Sequence, residues 1–159
     1  MISILNLKPL RELLLSEYPQ ELLEKQLGEF SCARDNDIEA FIRTGAVDYE
    51  RAGLCRTYLY FDVADADTDL VAYFTIAITS ADYAAVGRSR RKKILRGKPG
   101  LNSQDHFPGL LIGQLARSDR YERADLSGSQ MIADAEELID SVNQTIGGML
   151  IYLDCKEEL

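Results

Sequence analysis

The chain predicts an α+β fold built on one mixed sheet, and three observations lead there. Two apolar runs rich in β-branched and aromatic residues, "RTYLYFD" and "LVAYFTIAIT", are separated by the turn-like "ADADTD", the pattern of an antiparallel hairpin. Further on, "LLIGQLAR" and "MLIYLD" flank a helical run, so a strand, a helix and a strand follow one another and the two strands run parallel. The right-handed crossover rule puts the connecting helix on one face of the sheet. A length of 159 residues suits a single core of ordinary size.

Each element has its own signal. Leu10, Leu13 and Leu14, then Leu22, Leu23 and Leu27, recur at helical spacing on either side of "YPQ". They predict two short amphipathic helices, with Pro19 near the start of the second. "EFSCA" reads as a first strand. In "DNDIEAFIRTGAVDYERAG" the residues Ile38, Phe41 and Ile42 mark one helical face, with Asp35 or Asp37 as its cap. "CRTYLYFDVADAD" sets Thr57, Leu59 and Phe61 against Tyr58, Tyr60 and Asp62, the period of a strand with two different faces. Pro108 and Gly109 punctuate the entry to the strand "LLIGQLAR". The last helix carries Met131, Ile132, Ala135, Leu138, Ile139 and Val142 on its inner face, with Gly147 beyond its end.

Composition narrows the function classes. The longest apolar run, residues 70–79, is about half of the roughly 20 residues a membrane helix needs. The N-terminus lacks a basic start, an apolar block and a small-residue cleavage site, so a cytoplasmic protein is expected. Cys32, Cys55 and Cys155 form no C-x-x-C pair, which argues against a disulfide framework and a thiolate metal site. His106 is the only histidine, which excludes a multi-histidine metal centre. A net charge of −8 argues against nonspecific nucleic-acid binding by the molecule as a whole. Residues 87–100, "GRSRRKKILRGKPG", run against that balance with Arg88, Arg90, Arg91, Lys92, Lys93, Arg96 and Lys98. They read either as a solvated excursion or as a flap that attracts an anionic ligand.

The stretch "LARSDRYERADLSGSQMIADA", residues 115–135, joins a strand to a helix start. Such a turn collects unpaired backbone amides under a partial positive charge. Ser127, Gly128 and Ser129 offer amides and hydroxyls, and Arg120 and Arg123 add charge; the plain alternative is that Ser127 or Ser129 only caps the helix.

With "EFSCARDNDIEAFIRTGAVDYE", "RTYLYFD" and "LVAYFTIAI" before it and "GGMLIYLDC" after, this segment resembles the GNAT family of acyl-CoA-dependent N-acyltransferases. The resemblance covers residues 29–159 and rests on motif order. It implies an acyltransferase core, residues 29–159, preceded by the N-terminal helical segment, residues 1–28, that the leucine spacing predicts. It also implies acetyl-CoA or another acyl-CoA as cofactor, and a small-molecule or protein amine as acceptor. Some members modify aminoacyl-tRNA, a partner that the acidic remainder of this chain disfavours. The family's central strand pairs free backbone groups with the pantetheine arm, which assigns that work to Leu115, Ala116 and Arg117, with the Leu115 amide beside the developing oxyanion. The pyrophosphate loop maps to Arg123, Ala124, Asp125, Leu126, Ser127 and Gly128, followed by Ser129.

Two departures from the family pattern stand out. Leu126 occupies the place of the first glycine, and Asp125 brings a carboxylate beside the expected diphosphate. The sequence also stops at "KEEL", before the family's usual C-terminal arm, which leads to the expectation of a homo-oligomer. A non-catalytic binding module of the same fold, or an inactive fragment, is the competing expectation.

Overall fold

The computed structural model describes residues 5–63, 68–96, 104–147 and 150–153. Five strands form one sheet in the order β1 (Leu5–Pro9), β2 (Arg56–Asp62), β3 (Asp69–Asp82), β4 (His106–Arg117) and β5 (Leu150–Leu153). The pairs from β1 to β4 are antiparallel and β4 pairs with β5 in parallel, as the hairpin and the strand–helix–strand unit predicted. β5 lies close against β4 at Gly109, where an added Cβ would meet the Leu150 carbonyl and the Tyr152 ring at 2.5 Å.

One face of the sheet is covered by the N-terminal helices. α1 (Leu10–Leu15) and α2 (Gln20–Gly28) bury Leu10, Leu13, Leu23 and Leu27 against Leu59, Phe61 and Tyr73. Pro19 stands just before α2. A third helical stretch runs from α3 (Asn36–Ala40) through a π-helical turn (Phe41–Gly45) into α4 (Ala46–Ala52). Asp35 is its cap and accepts from the amides of Asp37 and Ile38. Gly53 ends it in the left-handed region at φ 72°, a conformation that glycine adopts without a Cβ penalty.

The opposite face is covered by α6 (Gly128–Ile146), which follows the short α5 (Arg88–Ile94) in the chain. Met131, Ala135 and Ile139 recur every fourth residue and pack on Phe74, Ile76, Leu110 and Ile112. The alternation read in β2 holds: Leu59 and Phe61 belong to the first core and Tyr60 to the second.

Two sequence expectations need correction. "EFSCA" is not a strand. Phe30 and Cys32 are buried, but the backbone there bonds to side chains: Arg43 Nε donates to the Phe30 carbonyl and the Cys32 amide donates to Glu39. The strand missed instead is β1, which pairs along β2 from Leu5↔Asp62 to Pro9↔Tyr58 and joins the N-terminal segment to the sheet.

Candidate functional site at the turn between β4 and α6

β4 leads directly into the turn, residues 118–127, and the turn leads into α6. Its shape is fixed by hydrogen bonds from within. Arg117 reaches across it, with Nε donating to the Tyr121 carbonyl at 3.0 Å and Nη1 to the Leu126 carbonyl at 2.6 Å. The Asp125 carboxylate accepts from the Glu122 amide at 2.9 Å, so the acid that threatened a diphosphate is engaged inside the turn. Leu126, at the place of the family's first glycine, is 4% exposed and belongs to the α6 core. Its side chain ties the turn to the sheet.

Ser127 is the N-cap of α6, and its hydroxyl accepts from the Gln130 amide at 3.1 Å. The first turn of α6 has no acidic residue, so the positive end of the helix dipole is not neutralised from within. An added Cβ at Gly128 would meet nothing within 4 Å, which leaves the helix entrance open to an incoming group. Arg123 and Ala124 are exposed beside it, and so is Ser129. Arg120 is turned the other way, toward Asp69 at 3.3 Å and Glu29 at 3.7 Å. The Tyr121 hydroxyl lies 3.5 Å from Asp69, and burial together with that carboxylate pushes its pKa up to about 12, so it stays a phenol.

Leu115, Ala116 and Arg117 form the last three residues of β4, opposite Phe74, Tyr73 and Ala72 of β3. Among the described residues, the pairing of β4 with β5 stops at Ile112↔Leu153. Just before this stretch the strand is irregular. Ile112 faces Ile76 and Leu115 faces Phe74, so Gly113 and Gln114 together stand opposite Thr75, a β-bulge. The Gln114 amide donates to Thr75 Oγ1 at 2.9 Å, and a Cβ on Gly113 would sit 3.2 Å from that same oxygen. Sequence reasoning passed over Gln114 and Thr75, although a glycine inside a strand was the available signal. It also missed that Arg117 acts through its side chain.

The basic stretch lies elsewhere. α5 follows β3 and precedes β4, at the His106 end of a 12-residue strand whose other end, Arg117, enters the turn. At about 3.3 Å per residue the two ends are roughly 35 Å apart. The described part of the stretch therefore does not border the turn between β4 and α6, and Lys98 lies outside the described residues. Arg91 is buried as an anchor: it donates to the carbonyls of Ala84, Val86 and Gln104 and pairs with Asp105 at 2.8 Å. Arg88, Arg90, Lys92, Lys93 and Arg96 are exposed. His106 is exposed at the start of β4, Cys32 and Cys55 are buried free thiols, and Cys155 lies outside the described residues. No helix among the described residues is long and apolar enough to cross a membrane.

No protein-family model and no curated protein matches the sequence. Solved structures share the architecture. A structure of AtaT complexed with acetyl-methionyl-tRNAfMet gives a TM-score of 0.69 at 19% identity, over 98% of this chain and 80% of that one. A mutant AtaT toxin bound to the C-terminus of the antitoxin AtaR and acetyl-CoA gives 0.68 at 16% identity, over 97% and 77%. A tyrosine-to-phenylalanine mutant of KacT gives 0.72 at 14% identity, over 97% and 79%. The chain has the GNAT fold of these proteins.

Proposed function

We propose that the chain is an N-acyltransferase that moves an acyl group, acetyl in the simplest case, from acyl-CoA to an amine. The observation that carries this reading is the turn after β4. Its Arg117 and Asp125 are engaged within the turn, and it delivers a helix N-terminus with no acid in its first turn and an open approach at Gly128. That combination suits a diphosphate, because backbone amides and the helix dipole supply attraction with no carboxylate in the helix's first turn. The AtaT structure that holds acetyl-CoA has the same fold, which supports the reading.

Bound acyl-CoA would supply an activated thioester carbonyl. The residues assigned to hold it are Gly128 and Ser129, through their amides and the Ser129 hydroxyl, with Arg123 adding charge. Ala124 and Asp125 shape the turn, while Leu126 and Ser127 set its frame. The backbone of Leu115, Ala116 and Arg117 aligns the pantetheine arm, with the Leu115 amide beside the carbonyl. Aminolysis of a thioester then needs a neutral amine held in line with that carbonyl, and proximity supplies most of the rate.

The acceptor class follows from α5. Its exposed cations are gathered on one anchored helix in an otherwise acidic chain, which favours an amine carried on a polyanion, such as an aminoacyl-tRNA. The AtaT structure with acetyl-methionyl-tRNAfMet supports this choice. The whole-chain charge of −8 is a weaker guide than this local concentration.

Thermal unfolding with and without acetyl-CoA tests the core of the proposal. Ligand at 100 times its Kd adds about 2.7 kcal/mol, and for a chain of this size each kcal/mol raises Tm by about 2–4 °C. A saturable rise is expected. No shift at millimolar acetyl-CoA sinks the reading, and binding without acylation of any offered amine leaves a binding module of the same fold.

A further inference from the structure

We propose that Gln114 is the residue that orients the acceptor amine. The inference rests on the acyl-transfer reading and adds a residue to it. Gln114 Oε1 is buried and has no hydrogen-bond partner, one of three such side-chain atoms among the described residues, with Thr57 Oγ1 and Asn143 Oδ1. A buried carboxamide oxygen left unpaired costs about 1–3 kcal/mol, so its place needs a reason.

That place is particular. Gln114 belongs to the bulge in β4, immediately before the Leu115 to which the carbonyl contact is assigned. Its backbone is held by Thr75, since its amide donates to Thr75 Oγ1. Thr75 in turn stands opposite Thr57, whose amide donates to the buried carboxylate of Glu50 at 2.9 Å. A polar row thus crosses three strands within a sheet whose neighbouring buried positions are Leu59, Tyr73 and Ala116, and its free end is the Gln114 side chain. Gly113 adds no side chain beside it. The bulge breaks the alternation of β4, so that Gly113 and Gln114 share the Thr75 side while Ile112 and Leu115 face α6.

A carboxamide oxygen at this point accepts an N–H of a neutral primary amine and leaves the nitrogen lone pair free to face the thioester carbon. The C–N bond forms, the C–S bond breaks, and the proton lost by nitrogen ends on the departing thiolate. The products are an N-acyl amine and CoA thiol. Gln114 takes no proton at any point; it fixes direction.

The test uses two probes whose affinities are compared: CoA, and CoA whose sulfur carries an acetic acid N-methylamide, which places a nitrogen where the acceptor's would be. The full chain is assayed by calorimetry as wild type, Gln114→Met and Gln114→Asn, with each variant's Tm recorded. Wild type is expected to bind the amide probe about tenfold more tightly than CoA, the worth of one hydrogen bond made in a buried site. Gln114→Met is expected to keep the CoA affinity, to unfold at a Tm no lower than that of wild type because the unpaired oxygen is gone, and to lose that tenfold preference, and Gln114→Asn to recover part of it. An equal preference in wild type and Gln114→Met, or none in a wild type that binds CoA, overturns the role of Gln114 alone. Failure of wild type to bind CoA overturns the acyl-CoA reading and this inference with it.

Discussion

The two ends of β4 handle negative charge in opposite ways. At the Arg117 end the attraction comes mainly from backbone: Arg117 and Asp125 are spent on the turn itself, and the entrance of α6 faces outward at Gly128 with the exposed Arg123 beside it. At the His106 end it comes from side chains, since Arg91 is consumed as an anchor and five neighbouring cations point into water. The difference teaches that a charge run and an anion site are separate things. On the proposed acyl-transfer reading, the first end would grip a compact group from a fixed geometry and the second would attract an extended one at any of several points.

The largest effect expected from breaking this contrast is at the anchor. Arg91→Met strips the partners from three carbonyls and from Asp105 and is expected to cost about 3 kcal/mol in a urea titration, through the hydrogen bonds that the buried guanidinium makes. The folded fraction should bind acetyl-CoA as wild type does. If its affinity falls as well, the two ends are coupled and the contrast is too sharp. At the other end, Leu126→Ala is expected to cost about 2–4 kcal/mol through the cavity it leaves beneath the turn, and to weaken acetyl-CoA binding too.

Smaller changes sharpen the comparison. Gly128→Ala should raise stability by up to about 1 kcal/mol, because alanine suits a helix better, yet lower acetyl-CoA affinity by crowding the helix entrance. A gain in both would mean that the anion sits elsewhere. Neutralising Lys92 and Lys93 together as Lys→Gln should move stability by no more than about 0.5 kcal/mol. Its readout is the salt dependence of binding to a bulk tRNA preparation, whose logarithmic slope should become shallower by about 0.7–0.9 for each cation that meets a phosphate. An unchanged slope would return α5 to the status of a solvated helix.

The fold was legible where periodicity was long. The two faces of β2, the apolar run of β3 and the recurrence at every fourth residue in α6 each repeat often enough to identify an element. β1 escaped because Leu5 and Leu7 give only two repeats of a strand pattern before Leu10 and Leu13 start a helical one. "EFSCA" misled because Phe30 and Cys32 are buried two residues apart, as in a strand, while their backbone is satisfied by Arg43 and Glu39 from another element. Within the candidate site, the cap at Ser127 could be read from residue type and position. The paths of Arg117 and Asp125 could not, because they depend on how the turn folds back over itself.

On the proposed reading, that closed turn also sets how acyl-CoA is received. With Ser127 bonded to Gln130, Asp125 to Glu122 and Arg117 to two carbonyls, the segment is already hydrogen-bonded within itself, so little conformational entropy should remain to be lost on binding. Association should therefore proceed in a single kinetic phase, with a rate that rises in proportion to ligand concentration rather than levelling at the speed of a loop rearrangement. The amides of Glu122 and Gln130 should already exchange slowly with deuterated solvent in the free protein, and binding should slow them little further.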